Sequence, residues 1–81
     1  MSTFYLTIAK VHEELFSGEV DSVTLPAYDG AVTILAHHEP FVSTLKSGTI
    51  VVHKAGEINP IPFPVESGVV EVSNNQVTIL I

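Results

Sequence analysis

The sequence predicts an all-β domain, a small sandwich or barrel of short strands. Three observations point there. β-branched and aromatic residues alternate with polar ones at period two in several short runs. Turn signals separate these runs at spacings of roughly 8–12 residues, as in sandwiches and barrels. No segment carries a convincing helical period. A chain of 81 residues makes one domain, 1–81, with no internal repeat, linker or low-complexity tract.

The elements follow in order. "FYLTIAKV" sets Phe4, Leu6 and Ile8 on one face and Tyr5, Thr7 and Ala9 on the other. "EVDSVTL" sets Val23 with Leu25, and Asp21 on the same side near the strand end. "AVTIL" is short and apolar. "TIVVHK" pairs Ile50 with Val52 against Val51 with His53. "GVVEVS" aligns Val70 with Val72 and turns Glu71 outward, and "QVTILI" aligns Val77, Ile79 and Ile81. Turns are expected at Ser17-Gly18, Tyr28-Asp29-Gly30, Ser47-Gly48, Ala55-Gly56, Ser67-Gly68 and Asn74-Asn75. Asparagine tolerates the left-handed backbone of a tight hairpin, which suits Asn74-Asn75. "INPIPFPV" carries Pro60, Pro62 and Pro64 at period two. In a strand, that phase removes donors from one side only, so the segment reads as an edge strand with a blocked outer side. The other reading is an extended, polyproline-like loop.

Composition narrows function. The net charge is −6, with three lysines and no arginine, which argues against nucleic acid and against an anionic lipid surface. The absence of cysteine removes disulfides and thiolate metal sites. The start of the chain lacks a signal-peptide pattern, and no apolar run reaches the ~20 residues that span a bilayer. A soluble intracellular protein is therefore expected. At 46% hydrophobic and 15% charged, the chain is apolar for its size, which implies a dense core or a partner covering part of the surface.

The stretch "TILAHHEPFVSTLKSG" raises the question of an active site. His37, His38 and Glu39 are the raw material of metal binding and acid–base catalysis. On a strand, adjacent side chains face opposite sides, so the two histidines share a metal only if the backbone turns there. Zinc wants three or four ligands, and no spacing elsewhere supplies the rest. His12, beside Glu13 and Glu14, reads as a solvated turn, and His53 as solvent-facing. Phosphate-binding glycine loops, the H-E-x-x-H pair and the G-x-S-x-G elbow are all missing from the sequence.

An ordered series of motifs carries a resemblance. It comprises Phe16-Ser17-Gly18, Leu25-Pro26 with Gly30, Ile34-Leu35 with His38 and Pro40, and Leu45, Gly48 and Ile50. "SGVVEVSNNQVTIL" completes it. Together these resemble the N-terminal β-sandwich domain of the ATP synthase epsilon subunit, the counterpart of the mitochondrial delta subunit. The series covers essentially the whole chain. Departures are Ala27, Thr33 and His37 where glycine or a small turn residue is usual, and Ala36 where proline is frequent. Ser67-Gly68 replaces a double glycine, and "HKAGEINPIPFP" is longer than the usual hairpin. Residues without glycine's access to positive φ are expected to stiffen the loop around His38.

The resemblance implies a two-sheet sandwich of short, mostly antiparallel strands, without the C-terminal helical hairpin that commonly follows it. It implies a non-catalytic rotor subunit of the central stalk, linking the gamma subunit to the membrane c-ring and supporting ion-driven ATP synthesis. The inhibitory and ATP-binding roles of the helices do not carry over. If the natural chain ends at Ile81, it couples without inhibiting. No cofactor and no metal are implied, and the location is peripheral, on the cytoplasmic face of the energy-transducing membrane within the F1 complex. By position, Pro26, Tyr28, Asp29 and Gly30 form the c-ring-facing loop, with Tyr28 and Asp29 at its tip. His38, Pro40, Phe41 and Ser43 match the segment near gamma and the ring. Phe41 reads either as an apolar anchor for a partner or as a core aromatic, and His38 either as partner-facing or as satisfying backbone groups. Altering His38, Pro40 or Phe41 is expected to weaken assembly, and altering His37 to matter little. The alternatives are a stand-alone β-sandwich module for a ligand or peptide, and a small metal enzyme built on His37, His38 and Glu39.

Overall fold

A computed structural model describes residues 2–81, and its regular elements are all strands. They are β1 (Phe4–Lys10), β2 (Glu13–Ala27), β3 (Gly30–Leu35), β4 (Phe41–Leu45), β5 (Gly48–Lys54), β6 (Ile61–Val65), β7 (Gly68–Ser73) and β8 (Gln76–Leu80). One layer runs through the first half of β2, then β1, β8, β7 and β4. The other runs β3, the second half of β2, β5 and β6. β1 and β8 are parallel, and the other ladders are antiparallel. β2 serves both layers, and Ala27 pairs with Leu45 of β4, so hydrogen bonding is continuous around the sandwich.

Period-two alternation fills the space between the layers. Phe4, Leu6, Ile8, Val70, Val72, Val77 and Ile79 are buried on one inner face, and Val23, Leu25, Ile34, Ile50, Val52 and Val65 on the other. No charged or polar side chain is buried among the described residues. Phe16 and Phe63 meet edge to face at 6.0 Å between centroids, closing the gap between β2 and the edge strand β6. The proline segment is that edge strand: β6 pairs with β5, with Pro62 opposite Val51 and Pro64 opposite Thr49. Both prolines are exposed.

Three expectations need correction. The Ser17-Gly18 turn does not exist: both residues lie inside β2, opposite Thr7 and Leu6, and the chain reverses at Val11–His12 instead. A Cβ at Gly18 would lie 3.8 Å from the Phe16 ring, an ordinary contact, so the strand there has room for a small side chain. β2 is also not short, at 15 residues. It changes layers at a bulge, where Val20 opposes Lys54 and Ser22 opposes His53, leaving Asp21 as the extra residue. Val20 and Val23 are therefore both buried, and Asp21 is half-exposed rather than aligned with Val23. Finally, the two histidines are not on a strand. Ala36 and His37 form a turn in which His38 N donates to Leu35 O at 3.2 Å.

Candidate functional site

The β2–β3 hairpin presents Tyr28 and Asp29 at an exposed two-residue tip. Tyr28 is 66% exposed, far more than an aromatic needs for packing. Pro26 is not part of this loop, because it pairs with Ala31 within the β2–β3 ladder. The tip is fastened to β4. Tyr28 N donates to Thr44 O at 3.0 Å, Lys46 N donates to Pro26 O at 2.8 Å, and Tyr28 N also approaches Ser43 Oγ at 3.4 Å. Pro26 packs against the backbone of β5, where a Cβ on Gly48 would meet its Cβ at 2.9 Å. Gly30 closes the hairpin at φ +134°, a conformation open to glycine. Ser43 thus supports the tip, and its own hydroxyl donates to Thr44 O at 2.7 Å.

The second group sits at the other end of β3. A strand rises about 3.3 Å per residue, so Gly30 and Leu35 are roughly 16 Å apart. Here His38 Nδ1 lies 2.7 Å from Glu39 O. A carbonyl only accepts, so Nδ1 is the donor of this bond. The His38 ring meets Phe41 edge to face at 6.1 Å. Phe41 is half-buried and packs on the core, opposite Val72. Pro40 and His37 are exposed. His37 holds φ +64°, the left-handed conformation that glycine adopts most readily.

A residue not singled out beforehand holds this corner. Asn75 Oδ1 accepts from His37 N at 2.7 Å, and Asn75 Nδ2 donates to Thr3 O at 2.9 Å. The β7–β8 turn thereby ties the His37–Pro40 loop to Thr3, just ahead of β1. The sequence marks Asn75 as a turn residue, but nothing local marks its distant partners.

The candidate residues therefore form two groups. Tyr28, Asp29 and Gly30, with Pro26 and Ser43, make the tip; His38, Pro40 and Phe41 make the corner. Ser43 belongs with the tip, not with His38. A third surface was foreseen only as surplus apolar area. On the outer face of the first layer, Val69 lies beside Leu80 and Thr44, and Val42 is on the same strand as Thr44. Val42 is 70% exposed, and Val69 and Leu80 about half. The sequence signal is that "GVV" puts valine in the outward as well as the inward phase.

The enzyme reading finds no constellation here. Among the described residues no group of three or more His, Cys, Asp or Glu converges as a metal site would. A cleft of about 320 Å³ is lined by Lys10, Pro64, Val65, Glu66, Ser67 and Ile81, with no histidine and no carboxylate pair. Among the described residues no helix is long and apolar enough to cross a membrane.

Comparison with known proteins agrees with this architecture. Residues 3–81 match the family described as ATP synthase, Delta/Epsilon chain, beta-sandwich domain. The chain is 40% identical over 78 residues to an ATP synthase epsilon chain of Methylococcus capsulatus, covering 96% of this chain and 55% of that one. It is 36% identical over 80 residues to the ATP synthase epsilon chain of Caulobacter vibrioides, covering 99% and 91%. The chain spans little more than half the length of most of the curated relatives it matches, at 55–58% for the Methylococcus and two Bradyrhizobium proteins. A chain in the solved mitochondrial ATP synthase of Euglena gracilis (OSCP/F1/c-ring) superposes with a TM-score of 0.90 at 23% identity, covering 99% of this chain and 51% of that one. One in the central stalk/c-ring of Tetrahymena thermophila superposes at 0.79 and 16% identity, covering 94% and 60%. Those two likenesses bear on fold. The family match over nearly the whole chain, with the relatives above 30% identity, establishes that this chain belongs to the ATP synthase delta/epsilon β-sandwich family.

Proposed function

We propose that this chain is a non-catalytic rotor subunit of an F-type ATP synthase, placed in the central stalk between the gamma subunit and the c-ring. The observation that carries this reading is the match of residues 3–81 to the delta/epsilon sandwich family, with epsilon chains as relatives. The geometry supports it. A link between two partners needs separate contact surfaces on a stiff body, and the tip and the corner stand at opposite ends of β3 on a continuously hydrogen-bonded sandwich. Tyr28 and Asp29 face the polar loops of the c-ring, where the acidic tip meets a cation. His38, Pro40 and Phe41 lie near gamma and the ring. The apolar pair Val69 and Leu80, with Val42 on the far side opposite Glu71, lies against gamma. The subunit is peripheral, on the cytoplasmic face of the energy-transducing membrane, and needs no cofactor.

The test is co-expression with the gamma subunit of the same organism, followed by size-exclusion chromatography. A one-to-one complex that survives the column supports the reading. If the two proteins elute separately at micromolar concentration, the reading fails. In the same assay Val69→Lys should weaken the complex at least about ten-fold, the equivalent of ~1.4 kcal/mol, because it sets a charge beside Leu80 in the apolar pair.

A further inference from the structure

Three non-glycine residues among those described hold positive φ: His37 at 64°, Asn74 at 51° and Asn75 at 58°. They belong to two turns far apart in sequence, β3–β4 and β7–β8, yet one side chain joins them. Asn75 Oδ1 accepts from His37 N at 2.7 Å, and Asn75 Nδ2 donates to Thr3 O at 2.9 Å. Left-handed backbone is unfavourable for a residue with a Cβ, and it persists where surrounding contacts hold it, often at clamps and binding sites. Asn74 and Asn75 have a local reason, since a tight hairpin requires that conformation. At His37 the contact that holds it comes from another segment.

The partners fix which way the Asn75 amide points. His37 N donates and Thr3 O accepts, so the oxygen faces the loop and the nitrogen faces Thr3. The anchor side is well tied: Asn75 O accepts from Tyr5 N at 3.3 Å, and Thr3 Oγ1 donates to Glu19 Oε1. On the loop side two successive amides are held, His37 N by Asn75 and His38 N by Leu35 O at 3.2 Å. The His38 ring is then set by Glu39 O and by the edge of Phe41. Among the described residues, Asn75 makes the one hydrogen bond that ties residues 36–40 to a distant segment. The other bonds of this loop are local to it.

We propose that Asn75 is a positioning residue for gamma recognition: through His37 N it holds the His37–Pro40 loop in the conformation that presents His38 and Pro40 to gamma. This rests on the stalk reading and deepens it. A loop ordered beforehand lowers the ordering cost of binding. Without the tie, the competent conformation is only a fraction of the population, and apparent affinity falls by that fraction. The contacts themselves stay intact, so the loss falls on association. Deleting a contact side chain acts mainly on dissociation instead.

Gamma from the same organism is immobilised, and both rates are followed for the whole chain and its variants at a temperature where circular dichroism shows each folded. Asn75→Gly keeps the left-handed turn and loses both side-chain bonds. It should bind roughly three- to ten-fold more weakly, through slower association. NMR of the free variant should show the His38–Phe41 ring contact weakened. Asn75→Asp keeps an acceptor for His37 N and should stay within about two-fold of the parent. Ile50→Val trims the buried core of β5 and should leave gamma affinity unchanged while lowering the thermal midpoint, which separates positioning from stability. Should Asn75→Gly fail to fold, a synthetic chain with an ester in place of the Ala36–His37 amide removes His37 N–H alone and should show the same loss. If the parent binds gamma and Asn75→Gly or the ester binds equally well, the proposal is overturned. A change confined to dissociation, or a ring contact that persists in free Asn75→Gly, overturns it too. A parent chain that does not bind gamma sinks the stalk reading, and the proposal with it.

Discussion

At the scale of single residues, Asn75 does more than its position suggests. Asn74 and Asn75 sit at φ 51° and 58°, the signature of a tight hairpin turn. Asn75 also bonds to Thr3 and His37 across sequence separations of 72 and 38 residues. Asn75→Gly keeps the turn and loses both side-chain bonds. Urea unfolding should show a loss of about 1–3 kcal/mol, and the His37 amide should exchange faster while the Asn74 turn persists. Gly68 is a second such position. A Cβ there would collide with the carbonyl of Leu80, a backbone atom in the ladder that cannot step aside. Gly68→Ala should lower stability by about 1–3 kcal/mol, the range for overpacking. At His37 the left-handed backbone is disfavoured by roughly 1–2 kcal/mol for an ordinary side chain. His37→Gly should be at least as stable as the parent chain and His37→Val less stable, read from thermal midpoints. None of these roles was visible locally. Asn75 and Gly68 could be read as turn residues, but the atoms that constrain them come from distant segments. Gly18 was misread for the same reason, since its ladder partner Leu6 comes from another strand.

At the scale of elements, alternation was enough for β1, β5, β7 and β8, because each keeps one face on the core along its length. It failed in β2, which serves both layers and carries a bulge that resets the phase. Asp21 is the residue that makes the reset possible. Its deletion would turn Val23, Leu25 and Ala27 to the outside, since a one-residue slip exchanges the faces of a strand. The deleted chain should show no cooperative unfolding transition, whereas Asp21→Asn should stay within ~0.5 kcal/mol of the parent. The prolines of β6 were legible because proline has a single backbone consequence wherever it stands. Replacing Pro62 and Pro64 with threonine restores outward donors at that edge. Light scattering should then report self-association that the parent chain lacks at the same concentration.

At the scale of the whole molecule, the fold and the family could be read from an ordered series of short motifs, but the arrangement of the contact residues could not. Sequence order put Ser43 with His38 and Phe41. In space Ser43 supports Tyr28, because β4 returns along the hairpin tip. The outward phase of Val69 was legible in the alternation of β7, but its neighbours Leu80 on β8 and Thr44 on β4 were not. The two candidate groups stand at opposite ends of β3, as the proposed link between gamma and the c-ring requires. The most direct measurement separates them. Asp29→Lys is assembled with gamma, and the complex is then tested for docking on purified c-rings. Binding to gamma should be unchanged, while docking on the ring falls about ten-fold or more, the equivalent of ~1.4 kcal/mol. Loss of gamma binding together with ring docking, or full docking by the variant, would contradict a two-ended link.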